Sequence, residues 1–299
     1  MGREKVRCPI CGLRTKEVHL WTKNSFRYVR CTNCGLVCIN PQLSDETIAD
    51  ISGNLLYEKK SQKLDLLLST LDTYKSKLLK SFERFKKSNY LLDVGCFKGF
   101  LLYTASQRGW RVVGTEVSKS ATHFAREHLQ QRVDIGDLLD MSWLENLDFD
   151  VITLLDVIEH LSSPHRYLKK TDASPRAGGL LYLETANFNS LPKFLLGDKW
   201  TVFHSIHRYY FSPKTIKRML RQAGFQQIRI RTMGFFPFST RKDEPAVSKP
   251  KPPLKILRFL PMSQLRDAQQ MVESILFYPL DTVGLRVGTK MVVWAIKGA

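Results

Sequence analysis

Long apolar runs are missing from this sequence of 299 residues. None approaches the ~20 consecutive apolar residues that cross a bilayer as a helix, so no transmembrane segment is expected. The first seven residues include Arg3, Glu4, Lys5 and Arg7 and lead straight into Cys8, so no secretory leader is read. Acids are scarce: 28 Asp and Glu face 46 Lys and Arg, a formal net charge of +18. That excess favours contact with something anionic, whether RNA, an anionic membrane surface or a phosphorylated substrate, although a merely basic enzyme would carry it too. Cysteines number only six. In a chain read as cytoplasmic, with a peripheral membrane position left open, they argue for metal rather than disulfides. What remains is length for one large domain and one small one, with an ordinary hydrophobic content of 43%.

Four of the cysteines form two matched units, Cys8-Pro9-Ile10-Cys11-Gly12 and Cys31-Thr32-Asn33-Cys34-Gly35, nineteen residues apart. Two intervening residues let both thiolates of a unit face one ion, and the following glycine permits the left-handed backbone that closes the knuckle. Four sulfurs suit tetrahedral, structural zinc. Residues 18–21 and 26–29 read as two short ribbon strands. Cys38 is read as a small buried residue, and His19 as a strand or surface histidine. Residues 1–42 are therefore expected to be a zinc ribbon. A connecting segment, 43–88, follows. In its 58–87 stretch Leu64, Leu67, Leu71, Tyr74, Leu78, Phe82 and Phe85 recur at helical spacing, with lysines on the other faces; this predicts an amphipathic helix or helix pair.

From residue 89 strands and helices alternate. Strands are read at 90–94, 110–116, 133–135 and 149–154, with helices at 100–108 and from Ser118, which can cap, to 128. This pattern specifies a doubly wound α/β domain with a mostly parallel sheet, covering 89–299. Ligands of such sheets sit beyond the carboxyl ends of the strands. There, Gly95 and Gly99 let a turn approach a ligand closely. Glu116, ending the second strand about twenty residues on, can accept from two ribose hydroxyls. Asp137 can reach an adenine amino group, with Leu138 beside the ring.

Taken in order and spacing, Leu-Leu-Asp-Val-Gly-Cys-Phe-Lys-Gly-Phe (91–100), Val-Val-Gly-Thr-Glu-Val-Ser (112–118), Gly-Asp-Leu (136–138) and Phe-Asp-Val-Ile-Thr-Leu-Leu-Asp-Val-Ile-Glu-His-Leu (149–161) resemble the class I S-adenosylmethionine-dependent methyltransferases over about residues 89–230. The resemblance implies a Rossmann-like seven-stranded sheet and S-adenosylmethionine as cofactor. By it, Asp93, Gly95 and Gly99 line the methionine side, Glu116 holds the ribose, Asp137 with Leu138 holds the adenine, Asp156 lies near the sulfonium, and Cys96 and Val117 also line the cofactor. The family's middle glycine is Phe97 here, which leaves either a lid over the cofactor or a lost site. A nicotinamide dinucleotide enzyme would want the fuller G-x-G-x-x-G turn.

After the fourth strand, 156–160 is read as the start of a helix with Asp156, Glu159 and His160 on one face. The aromatic and histidine-rich loop 199–212, containing His207, is expected over the same edge. Two chemistries compete. His160 or His207 acts as general base, or Asp156, Glu159, His160 and His207 hold a second divalent metal. The segment is similar to ubiquinone-pathway O-methyltransferases and small-RNA 2′-O-methyltransferases, where a Glu-His pair here serves a metal. The alternative is a purely structural Glu-His pair. No Asn-Pro-Pro-Tyr turn follows the strand, which by resemblance disfavours planar nitrogen acceptors. Further strands are read at 178–184, 227–233 and 291–296, the last antiparallel by resemblance, with a helix at 213–223. Residues 239–288 form an insertion: a proline-bearing linker, then basic and apolar helical segments suited to a lid, a dimer contact or an anionic membrane. The expected activity is methyl transfer to a hydroxyl or carbon of a small-molecule, sugar or lipid-linked acceptor. RNA methylation, and a non-catalytic binding module on a decayed fold, are the alternatives.

Overall fold

The computed structural model describes residues 3–12, 17–48, 51, 75–143, 147–173, 175–234 and 286–298. Five short strands come first: β1 (Arg3–Glu4), β2 (Glu17–Lys23), β3 (Phe26–Cys31), β4 (Val37–Ile39) and β5 (Gln42–Leu43). The remainder runs β6 (Tyr90–Val94), α1 (Phe100–Ser106), β7 (Arg111–Glu116), α2 (Lys119–Glu127), β8 (Val133–Ile135), β9 (Phe149–Leu155), α3 (Pro164–Ala173), β10 (Pro175–Ala186), α4 (Leu191–Leu196), β11 (Tyr209–Tyr210), α5 (Pro213–Ala223), β12 (Gln227–Met233) and β13 (Lys290–Ile296). One sheet orders seven strands β12-β13-β10-β9-β6-β7-β8. β13 runs antiparallel to both its neighbours, pairing Tyr182 with Trp294 on one side and Arg229 with Trp294 on the other. The central strands β6 and β9 are apolar along nearly their whole length because both faces are covered, and they align Asp93 with Thr153.

The two faces carry separate cores. One gathers Leu78, Phe82, Phe85, Leu101, Leu102 and Trp110. The part of the predicted 58–87 helix that is described, 75–82, therefore buries its stripe on the sheet as expected; Leu64, Leu67, Leu71 and Tyr74 lie outside the described residues, as does all but the end of the 239–288 insertion. The other core joins Leu92, Ile152 and Leu183 to Phe211 and Leu168, and continues without a break into Ile10, Val29, Cys31, Leu36 and Cys38 of the N-terminal module.

That continuity has a backbone counterpart. The loop expected over the catalytic edge donates a strand, β11, to the N-terminal sheet, which orders β11-β4-β3-β2. Tyr209 pairs with Cys38 and Tyr210 with Val37. An aromatic cluster of Tyr28, Phe188, Trp200, Phe203 and Tyr210 fills the seam, with Trp21 stacked on Tyr28 at 5.1 Å between centroids.

One expectation is corrected. Residues 156–160 do not begin a helix; they form a turn, and the helix starts at Pro164. Asp156 takes a left-handed φ of 54°, which breaks the strand direction. The Glu159 carbonyl then accepts from the amides of Arg208 (2.8 Å) and Tyr209 (3.3 Å). It is thus engaged across the fold, where a helix would have it bond to the residue four on.

Candidate active site

The carboxyl ends of β6, β7 and β9 converge on one edge of the sheet. The chain leaves β6 at Gly95, whose amide donates to the Thr115 carbonyl at 2.8 Å, as does that of Cys96 at 3.1 Å. Gly95, Phe97 and Gly99 have φ of 66°, 51° and 74°. Phe97 thus adopts the left-handed conformation that the family reading assigns to glycine, at a cost of roughly 1–3 kcal/mol. Glu116 explains how it is held. One carboxylate oxygen accepts from the Phe97 amide at 2.8 Å and the other from the Ser118 amide at 2.8 Å. Burial pushes the Glu116 carboxyl up, while these amides favour its charged form. Gly95 is also sterically required: a Cβ there would sit 2.7 Å from Val157 Cγ2. The same contact shows that the glycine turn and the 156–160 turn abut.

The other predicted cofactor residues divide. Asp93 is buried and accepts from the Thr153 hydroxyl at 2.6 Å; burial raises its carboxyl to about 6. Asp137 caps the following turn by accepting from the Leu139 amide at 2.7 Å, and its second oxygen accepts from the Tyr167 hydroxyl. Val117 is largely exposed beside them. Cys96 and Leu138, however, are buried in the two cores. The Cys96 side chain fills the space where Gly114 lacks a Cβ. Asp156 turns to Lys290, at 2.8 Å, which also pairs with buried Glu184 at 2.5 Å.

Among the described residues, two donor groups are close enough to hold a metal ion. The first is Glu159, His160 and His207, whose ligand atoms lie within 4.8 Å of one another. Asp156 is not in this group. Glu159 is buried and accepts from the Thr185 hydroxyl at 3.0 Å; burial first, and then nearby Asp156, raise its carboxyl to about 8. His160 Nδ1 lies 3.0 Å from the Ile206 carbonyl and His207 Nδ1 2.9 Å from the Val202 carbonyl. A carbonyl only accepts, so each Nδ1 carries a proton, and in the neutral ring the lone pair is on Nε2. Burial lowers the His160 pKa, which keeps that tautomer neutral. The rings meet edge to face at 4.7 Å.

The second group is Cys8, Cys11, Cys31 and Cys34. Cys8 and Cys34 sulfurs are 3.4 Å apart and those of Cys11 and Cys31 3.5 Å. A tetrahedron with Zn–S bonds of about 2.3 Å has edges of roughly 3.8 Å, so the four thiols fit zinc with little movement. Gly12 and Gly35 close the knuckles with φ of 69° and 79°, their amides donating to the carbonyls of Cys8 and Cys31 at 2.8 Å.

Sequence reasoning missed Thr153, Tyr167, Thr185, Glu184, Lys290 and Arg208. All are distant in sequence from the groups they fix.

A family model described as a methyltransferase domain matches residues 68–230, over half of the chain. The protein belongs to this family of S-adenosylmethionine-dependent methyltransferases. The ubiquinone biosynthesis O-methyltransferase of Coxiella burnetii is 26% identical over 169 residues, 52% of this chain and 72% of the relative. That of Ruegeria pomeroyi is 29% identical over 161 residues, 50% and 64% respectively. Among solved structures, a SAM-dependent methyltransferase from Thermotoga maritima aligns with a TM-score of 0.52 at 15% identity, covering 84% of this chain and 99% of that one. One from Archaeoglobus fulgidus aligns at 0.50 and 17%, covering 75% and 93%. These two share the fold.

Proposed function

We propose that the protein transfers a methyl group from S-adenosylmethionine to an oxygen of a small-molecule or lipid-linked acceptor. The observation that carries this is the triad Glu159, His160 and His207, assembled where the 156–160 turn abuts the glycine turn. Glu116 receives the ribose hydroxyls, Asp93 and the glycine turn take the methionine end, and Val117 and Asp137 border the adenine. In-line attack needs an acceptor deprotonated at the moment of transfer. The two Nε2 lone pairs supply a base for it. Glu159, His160 and His207 would equally hold a divalent cation, which supplies a lowered acceptor pKa when bound. The relatives named ubiquinone biosynthesis O-methyltransferases support an oxygen acceptor.

The test uses polyhydroxylated aromatic acceptors with labelled cofactor, in chelator and then with added Mg²⁺ or Mn²⁺. His160→Ala and His207→Ala should each lose at least about a hundredfold in turnover while still binding S-adenosylhomocysteine. Undiminished turnover in both would sink the assignment. The cysteine group is proposed to hold one structural zinc.

A second reading, RNA as acceptor, is favoured by one observation. An open cavity of about 480 Å³ is lined by Lys214, Lys217, Arg218 and Arg221 of α5. A steep fall of RNA affinity with salt would support it.

A further inference from the structure

Arg208 lies in the loop that leads from His207 into β11. It is 4% exposed, and its hydrogen bonds run in two directions. Toward the 156–160 turn, its amide donates to the Glu159 carbonyl at 2.8 Å and its Nε to the His160 carbonyl at 3.0 Å. Toward the N-terminal module, its Nη1 donates to Gln42 Oε1 at 3.2 Å and its Nη2 to the Asp45 carboxylate. Its carbonyl accepts from the Ile39 amide at 3.0 Å. Gln42 is itself buried, whereas the Asp45 side chain is 70% exposed. The path onward is short. Ile39 and Cys38 belong to β4, which pairs with β3, and β3 ends in Cys31 of the second knuckle. The Cys31 amide donates to the Leu36 carbonyl at 2.9 Å, one residue before β4 begins.

We infer that Arg208 is a positioning residue that ties the cysteine module to the Glu159–His160 turn, so that loading the four cysteines with zinc sets the geometry of the histidine pair. The inference rests on the reading of Glu159, His160 and His207 as the reacting cluster. The guanidinium suits the role because a planar fork can serve three acceptors in different directions at once. A lysine carries its donors on one compact nitrogen and lacks that spread. Among the described residues the buried guanidinium pairs with one carboxylate, Asp45, and losing that partner leaves its charge uncompensated there. The glycine turn and Glu116 are outside this network: their bonds run to Thr115, Ser118 and Phe97. Cofactor affinity should therefore be separable from loop geometry.

The experiment needs no acceptor. Full-length zinc-loaded protein is compared with the same protein after zinc removal, and with Asp45→Ala and Asp45→Glu. Three quantities are read: hydrogen exchange of the Arg208 and Tyr209 amides, the imidazole ¹⁵N shifts of His160 and His207 at fixed alkaline pH, and S-adenosylhomocysteine affinity by calorimetry. Zinc removal and Asp45→Ala should each speed exchange at both amides by about tenfold or more, and shift His160 away from the Nδ1-protonated pattern. Affinity should stay within about twofold of wild type. Asp45→Glu should restore most of the protection. Unchanged amides and imidazoles after zinc removal would show the module and the turn to be independent and overturn the inference. Affinity lost in step with amide protection would also overturn it, in favour of a plain folding role. Failure of the wild type to bind S-adenosylhomocysteine would strike the proposed function instead, and leave the coupling readable.

Discussion

Replacing Glu116 with glutamine changes one atom and tests how this chain manages without the expected middle glycine. The carboxylate accepts from the Phe97 and Ser118 amides, each at 2.8 Å. Glutamine keeps one acceptor, but its amide nitrogen would face a main-chain N–H and must turn away. A hydrogen bond to a charged group contributes about 1.5–3 kcal/mol; at this half-buried site the lower end applies. The freed Phe97 must still hold a φ of 51°, and one ribose hydroxyl would also lose its charged acceptor. Together these put the loss of cofactor binding at roughly 1.5–3 kcal/mol, about ten- to a hundredfold in affinity. The assay is calorimetric titration with S-adenosylhomocysteine, beside thermal unfolding. Phe97→Gly in the Glu116→Gln background should recover part of the stability, because glycine takes the left-handed conformation at little cost. Affinity of Glu116→Gln within twofold of wild type would refute the reasoning, since the carboxylate would then neither hold the turn nor meet the ribose.

Three further outcomes follow from the geometry. Gly95→Ala puts a Cβ 2.7 Å from Val157 Cγ2 at a φ of 66°, so it should destabilise by at least about 2 kcal/mol in denaturant unfolding; Val157→Ala should rescue only the steric part, and full rescue would mean that the backbone is not strained. Asp93 is raised to about 6 by burial. Its contribution to stability is therefore complete below the ordinary carboxylate pKa and is lost as pH rises through about 6. The stability difference between wild type and Asp93→Asn should then shift by about 2–3 kcal/mol toward the variant between pH 4 and 7, and parallel pH curves would contradict this. Elemental analysis should find one zinc per chain, lost in Cys11→Ser and in Cys31→Ser; a folded wild type without zinc would remove the ribbon's metal.

Much of the catalytic half was legible because its signals are local. Strands β6, β7, β8 and β9 and the capping Ser118 follow from apolar runs and short-range turn chemistry, and the Ser118 hydroxyl does accept from the Ala121 amide at 3.3 Å. The Gly95, Gly99 and Glu116 spacing and the two Cys-x-x-Cys-Gly units are likewise short-range patterns that fix backbone conformation by sterics. The 156–160 segment was misread because the helical spacing of Asp156, Glu159 and His160 is genuine. In place of a helical bond, the Glu159 carbonyl accepts from Arg208 and Tyr209, about fifty residues later.

The sequence by itself determined the strands of the sheet, the glycine turn with its acid, and the cysteine knuckles, since each depends on residues near one another in the chain. The tertiary structure decided that β11 completes the N-terminal sheet, that Lys290 pairs with Asp156, and that Arg208 spans the seam. Each of these is a pairing across many residues. The partner in each is defined only once the chain has closed.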